Sequence, residues 1–339
     1  MADMFSTDVL IRTVNSMKMA PSFLLDRFFP NIQTEESEEI HFDVQNRTRR
    51  IAPFVSPLVA GKVVAAEGYT TNTFKPAYIK PKTPFDPRRP LRRAMGEQIG
   101  GNLAPQDRLR LNLALTLEDH IDMINRRLEV MAAEALRLGR VTVSGESHPT
   151  EVVSFGRDGG HTIVKGAGSK WGDAGVKPLD DLQNWAQQVL KTEGAQPVDV
   201  VMDVDSWKVF RADADVDKRL DNRRVMDNAM SLDAQMHEGG VYMGTVDGFN
   251  VWVYSGWYID DDDVEQPILP SGTVILSSAQ LEGVRAFGAI QDHDAGLVAL
   301  PYYPKSWVTP DPSQRWLMTQ SAPLVVPTRV NASLSASVL

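Results

Sequence analysis

Between residues 105 and 138 apolar side chains recur at intervals of three and four: Leu109, Leu113, Leu117, Ile121, Ile124, Leu128, Met131, Ala135 and Leu138. An α-helix returns to the same face about every 3.6 residues, so this spacing predicts one continuous helix with a single apolar stripe. Pro105 suits the first helical position, where its missing N–H would have no partner in any case, and Gly139 suits the residue just past the end. At about 1.5 Å per residue such a helix is about 50 Å long, several times the usual globular helix. The stripe is not a sustained heptad seam with charged flanks, so a spine is expected rather than a coiled coil. Asp122 and Arg126 can pair on its polar face, but such a pair adds only a few tenths of a kcal/mol, so burial of the stripe must hold the helix.

A spine needs a body around it. The chain has 339 residues, 42% of them hydrophobic and 23% charged, enough for a substantial core divided into two or three lobes. Cysteine is absent, which excludes disulfides, thiolate metal sites and cysteine nucleophiles, and fits a reducing compartment. The first residues lack a basic stretch followed by an apolar one, and no run approaches the roughly 18 apolar residues of a membrane span, so neither secretion nor membrane insertion is expected. A net charge of -9 makes the chain as a whole repel nucleic acid.

Residues 1–53 read as short pieces: a helix capped by Thr7 or Asp8 and ended by Pro21, an apolar cluster from Phe23 to Phe29, and a strand-like alternation at Ile40, Phe42 and Val44. They form either an extension folded on its own domain or an arm lying on a neighbour. Residues 54–100 suggest a long hairpin, Val59 to Val64 running out to Glu67-Gly68 and Thr70 to Tyr78 running back, flanked by prolines from Pro53 to Pro90. An isolated two-stranded hairpin is marginal in water and has unpaired edges, so it needs another surface, its own core or a neighbour's. Beyond the spine come a hairpin around Gly145 to Pro149 and a glycine-rich connector from Gly156 to Gly175 that marks a lobe boundary. Residues 178–300 read as an α/β lobe: a helix carrying Leu182, Trp185 and Val189, a strand from Val198 to Val204, a helix capped by Asp205 or Ser206, and a strand from Thr273 to Leu276. The same lobe contains a hairpin turning at Asp247-Gly248, the favoured two-residue turn. The polar stretch from Asp213 to Glu238 reads as a loop, and the strands of residues 301–339 as a return to the spine lobe.

No catalytic constellation emerges. The six histidines have no pair at metal-ligand spacing, so no metal and no cofactor is expected. Gly166-Ala167-Gly168-Ser169-Lys170 has the wrong spacing for a phosphate loop, and Ser144-Gly145-Glu146-Ser147 is not a nucleophile elbow. Asp260 to Asp263 suit a hard cation chemically, but consecutive acids in an extended loop do not converge, so a solvated hairpin tip is expected. Basic residues cluster at Arg47, Arg49 and Arg50 and at Arg88, Arg89, Arg92 and Arg93, in the segments assigned to the arm and the hairpin. They fit either a nucleic-acid patch or contacts to acids such as Glu35, Glu36, Glu38 and Glu39 on a neighbour.

The order of arm, proline-flanked hairpin, spine, α/β lobe and return strands resembles a tailed-phage capsid subunit, and seven runs are similar to the lambda-like major capsid proteins, phage capsid family E. They are Val55 to Gly61, Tyr78 to Lys82, Leu91 to Arg93, Val253 to Gly256, Gly288 to Ala295, Tyr303 to Thr309 and Gln320 to Leu324, spread in order over nearly the whole chain. The resemblance implies an α+β Johnson fold: an N-terminal arm (1–53), an extended loop and its connection (54–100), a peripheral domain (101–177) with the spine at 105–138, an axial domain (178–300), and return strands with a C-terminal tail (301–339). It also implies hexamers and pentamers of the chain itself, forming an icosahedral shell that encloses double-stranded DNA, with portal and scaffold proteins as partners and in some relatives a decoration protein. Assembly in the host cytoplasm and locking by non-covalent clamping belong to the same picture. Glu67, Gly68 and Tyr69 at the hairpin tip, with the seven arginines, are the candidate subunit contacts. The rival readings are a soluble α/β enzyme using residues 178–300 and a nucleic-acid-binding protein using the arginine clusters.

Overall fold

In a computed structural model the described residues are 4–17, 22–37, 39–45, 51–52, 54, 57, 60, 63, 69–85, 103–145, 148–220, 236–237, 239–260, 262–311 and 313–339. Two short helices, α1 (Thr7–Ser16) and α2 (Phe23–Phe28), precede the strands β1 (Asn31–Thr34), β2 (Ile40–Gln45), β3 (Tyr69–Phe74) and β4 (Lys82–Phe85). The spine, α3, runs from Pro105 to Leu138, the bounds its apolar spacing and its Pro and Gly punctuation predict. Gly139 stops it in the left-handed region, φ 64°, with its N–H on the Ala135 carbonyl; any β-carbon there would meet the Arg157 side chain at 2.4 Å.

After the spine come β5 (Arg140–Gly145), β6 (His148–Ser154), β7 (Thr162–Val164), α4 (Pro178–Thr192), β8 (Asp199–Met202), α5 (Val204–Ala212) and α6 (Ala214–Arg219). The strands β9 (Met236–His237), β10 (Gly240–Val246), β11 (Phe249–Tyr254), β12 (Trp257–Ile259), β13 (Glu265–Pro267) and β14 (Thr273–Ser277) follow. The chain ends with β15 (Gly283–Phe287), β16 (Tyr303–Thr309), β17 (Gln314–Gln320), β18 (Pro323–Pro327) and β19 (Ser333–Ser337).

A seven-stranded mixed sheet in the order β7-β19-β14-β8-β11-β10-β9 forms the α/β lobe. All four residues of β8 and all five of β14 are buried, as expected of central strands; α3 and α4 both pack on β14, and α5 on the neighbouring β11. The β10–β11 hairpin turns at Asp247 (φ 47°) and Gly248 (φ 88°), the two left-handed positions of its predicted turn.

Several expectations change. The sheet crosses the expected lobe limits at 178 and 300: β7 lies within the supposed glycine-rich connector, and β19, while packing on the spine, also joins this sheet. Conversely β15 leaves it to pair with β1 and β18. Strand edges must be paired or covered, and distant segments do this as readily as near ones. The cap of α5 is Asp203, which accepts from the N–H groups of Asp205 (2.9 Å) and Ser206 (3.4 Å); β8 accordingly stops at Met202, short of the predicted Val204. The Asp213 stretch opens as the helix α6, capped by Asp213 itself, while residues 221–235 lie outside the description. Finally, β3 pairs antiparallel with β2, Phe42 opposite Asn72, while most of the expected outgoing hairpin strand, Val59 to Val64, lies outside the described residues. Ile40 and Phe42 supply the buried alternation that sets this register, 1% and 7% exposed.

Candidate assembly surfaces

Four of the seven family-like runs, far apart in sequence, converge where the extended loop joins the body. The Tyr78 hydroxyl donates to the Ala289 carbonyl (2.5 Å) and accepts from the Gln291 N–H (3.0 Å), and Ile79 exchanges main-chain hydrogen bonds with Ser321. Lys305 pairs with Asp292 (2.8 Å) and Asp294 (2.6 Å), while the Gln320 amide donates to the other Asp292 oxygen (2.8 Å). Burial pushes the Asp292 carboxyl up, but hydrogen bonds from Lys305, Gln320 and the Asp294 N–H outweigh it and hold the group below its ordinary range. Lys305 is correspondingly raised, the two carboxylates overcoming its desolvation. Close by, β4 completes a three-stranded sheet with β16 and β17, and the Lys82 ammonium lies 4.0 Å from the centre of the Trp316 ring and 5.1 Å from that of Trp307. The base of the loop is thus fastened by charge, hydroxyl and ring contacts.

Past this base the described apolar residues are open to solvent. Ile51, Phe54 and Val63 are 93%, 106% and 93% exposed. The small β12–β13 hairpin carries Trp257, Ile259 and Val264, each half exposed or more. Its acidic tip is a turn: Asp260 accepts from the N–H groups of Val264 and Asp262 and from the Gln266 amide, which hold its carboxyl below the ordinary range. A groove of about 1050 Å³ opens between the loop base, the spine, β5 and β12, bordered by Tyr78, Lys80, Arg127, Glu134 and Tyr258.

Of the residues singled out from sequence, Tyr69 opens β3 opposite Gln45. Glu67, Gly68, Arg47, Arg49, Arg50, Arg88, Arg89, Arg92 and Arg93 lie outside the described residues. Both arginine clusters start just beyond paired strands, two residues after β2 and three after β4. Of their supposed acidic partners, Glu35 already accepts from the His41 N–H at 2.8 Å, whereas Glu36 and Glu39 are exposed.

The segment likened to a phosphate loop is a closed turn, with the Ser169 N–H and hydroxyl on the Gly166 carbonyl and the Lys170 N–H on Asp173. Among the described residues no group of three or more His, Asp or Glu is placed to hold a metal, and no helix is long and apolar enough to cross a membrane.

Sequence reasoning missed three buried polar residues that tie the lobes. His120 on the spine bridges Thr83 of β4 (2.8 Å) and Thr319 of β17 (3.1 Å). Arg329 donates to the Glu193 carboxylate and carbonyl, both at 2.9 Å. Glu129 receives the first turn of α2. None left a distinctive local trace: even Glu129, beside Leu128, shares its stretch with Glu134 and Arg137.

Over residues 6–338 the chain matches the phage major capsid protein E family. It is 30% identical over 332 residues to the major capsid protein of Escherichia phage lambda, covering 95% of this chain and 96% of that one. It is 32% identical to the major capsid protein of Escherichia phage N15, covering 91% of each. In architecture it resembles a prophage protein from E. coli CFT073 (TM-score 0.78, 24% identity, 98% of this chain and 99% of the other) and the capsid of Ralstonia phage GP4 (TM-score 0.53, 14% identity, 95% and 91%). With its spine, its clamped loop base and a family match over nearly its full length, the chain belongs to the phage major capsid protein family E.

Proposed function

We propose that many copies of this chain close, as hexamers and pentamers, into an icosahedral head shell around double-stranded DNA. The observation that carries this reading is the contrast at the loop: a base fastened by Tyr78, Asp292, Lys305 and Gln320, and beyond it, among the described residues, apolar side chains open to solvent. A rigid base with an uncovered extension suits a segment whose partner surface is another subunit, and contacts repeated around a ring add through multivalency. In this reading residues 178–300 surround the ring axis. The tip residues Glu67, Gly68 and Tyr69 touch a neighbour, and Arg47, Arg49, Arg50, Arg88, Arg89, Arg92 and Arg93 meet acids there such as Glu36 and Glu39. Exposed pairs of this kind contribute little energy each but reject wrong registers. The net charge of -9 keeps such a shell from adhering to its contents. Portal and scaffold proteins are the expected partners, with a decoration protein where the lattice needs clamping, and assembly takes place in the host cytoplasm. No catalytic step is assigned to the chain.

Sedimentation velocity of the purified chain, followed by negative-stain imaging of the fastest fraction, tests the reading. Megadalton shells or rings are expected; a uniform monomer or dimer, persisting with the cognate scaffold, overturns it. Reversing Arg88 and Arg89 to Glu should lower particle yield while the circular dichroism of the subunit stays unchanged. Unaltered yield removes that cluster from the interface.

A further inference from the structure

Helix α2 caps itself only in part: Asp26 Oδ2 accepts from the Ser22 N–H at 3.1 Å, while the Leu24 and Leu25 N–H groups find no acceptor on α2. Ser22 occupies the cap position, yet its side chain accepts from no N–H of the first turn. The missing acceptor comes from the spine, more than a hundred residues away: Glu129 Oε1 receives the Leu24 N–H at 2.7 Å and Oε2 the Leu25 N–H at 3.0 Å. The Tyr254 hydroxyl of β11 donates to Oε1 at 3.1 Å, so a single carboxylate joins the N-terminal segment, the spine and the seven-stranded sheet.

Apolar groups seal the junction. Phe23 stacks on Tyr254 with ring centres 5.6 Å apart and leans on Trp252 at 5.2 Å; Gly240 admits it, since a β-carbon there would sit 2.5 Å from the ring. Glu129 is 5% exposed, and among the described residues no cation reaches it. The charged groups around the junction are otherwise engaged or of the wrong sign. Arg27 of α2 binds Asp199 of β8 and lies over Trp252, Arg285 of β15 binds Asp26 of α2, and Asp26 itself repels the carboxylate. Tyr302, the other titratable group nearby, is tied to Asn125 of the spine and pushed up by its own burial to about 12.

We infer that Glu129 is a proton-operated latch for the N-terminal segment: α2 docks most firmly when this carboxyl is protonated, and ionisation favours undocking, which lets water reach the anion. Burial raises the group from 4.5 to about 7, against the pull of its three hydrogen bonds. The sign follows from linkage. The docked form binds a proton that the open, hydrated form releases, so docking is strongest below the ordinary glutamate range, weakens as pH rises toward 7, and is level above it. A shift of that size corresponds to a change in the docking equilibrium on the order of a hundredfold. The latch acts within one subunit, so its failure would leave the shell reading untouched.

Hydrogen exchange of the full-length chain between pH 5 and pH 8, corrected for intrinsic rates, tests it. Protection of residues 23–29 should fall on the order of a hundredfold over this range, while β14 stays constant as an internal reference. In Glu129→Gln the slope should vanish. A flat wild-type profile overturns the proposal, as does a slope that survives Glu129→Gln but disappears in Asp26→Asn. Should Glu129→Gln fail to fold, carbon-13 titration of the wild-type carboxyl decides: a midpoint near 4.5 overturns the latch, and one near neutrality supports it.

Discussion

The two halves of the spine are one helix in two surroundings. From Ile124 onward the buried positions spread round the cylinder, including Leu128, Glu129, Met131, Ala132, Ala133, Ala135 and Leu136, because α2, β5, β18 and β19 all press on this half. The alanines make that crowding possible by letting neighbouring main chains approach closely. Before Ile124 one stripe alone is covered: Leu113, Leu117 and Ile121 form a separate small core with Leu10 and Val14 of α1 and Leu317 of β17. On the opposite side Leu111 and Leu115 are 37% and 36% exposed. A helix held from many sides is a fixed frame, whereas one held along a stripe retains a face that another subunit can cover.

The largest expected effect, and the sharpest test of this contrast, is Leu128→Ala. Leu128 is 1% exposed in the crowded half, where surrounding elements cannot collapse into the space, so urea unfolding should show a loss of about 3–4 kcal/mol. Leu117→Ala removes an equally buried leucine from the thinly covered half, where α1 can settle inward, and should cost about 2–3 kcal/mol. Equal losses would break the comparison.

A smaller effect depends on pH and runs opposite to that at Glu129. Burial lowers the His120 pKa, with Asp119 pulling the other way, so the folded protein favours the neutral ring that bridges Thr83 and Thr319. This contribution is complete above the unfolded value of about 6.5 and is lost as pH falls through the lower folded value. Acid should therefore loosen residues 113–121 while tightening α2, and His120→Gln should abolish the first response alone when both segments are followed by hydrogen exchange. The smallest effect belongs to the double change of Leu111 and Leu115 to alanine. On the free subunit it should stay within about 1 kcal/mol. A fall in particle yield at unchanged subunit stability would assign that face to a neighbour, and no fall would leave it as ordinary solvent-facing surface.

Features governed by near neighbours were legible. The spine could be bounded by Pro105 and Gly139 because a helix repeats every few residues and its ends need particular backbone freedoms. The β10–β11 turn was legible for the same reason, since Asp247 and Gly248 tolerate the left-handed conformation a two-residue hairpin turn requires. The candidate contacts rest on charge and turn chemistry alone; Tyr69 opens β3, and nothing local showed that β2 would lie beside it.

The order of elements, the spine and the family-like runs were thus determined by the sequence itself. Tertiary structure decided which distant strands complete the seven-stranded sheet, how Tyr78, Asp292, Lys305 and Gln320 meet at the loop base, and that an acid in the spine caps a helix at the other end of the chain. Periodicity is a property of adjacent residues. An unsatisfied edge, charge or helix terminus records only that a partner is needed, and the packing of the whole chain determines which one arrives.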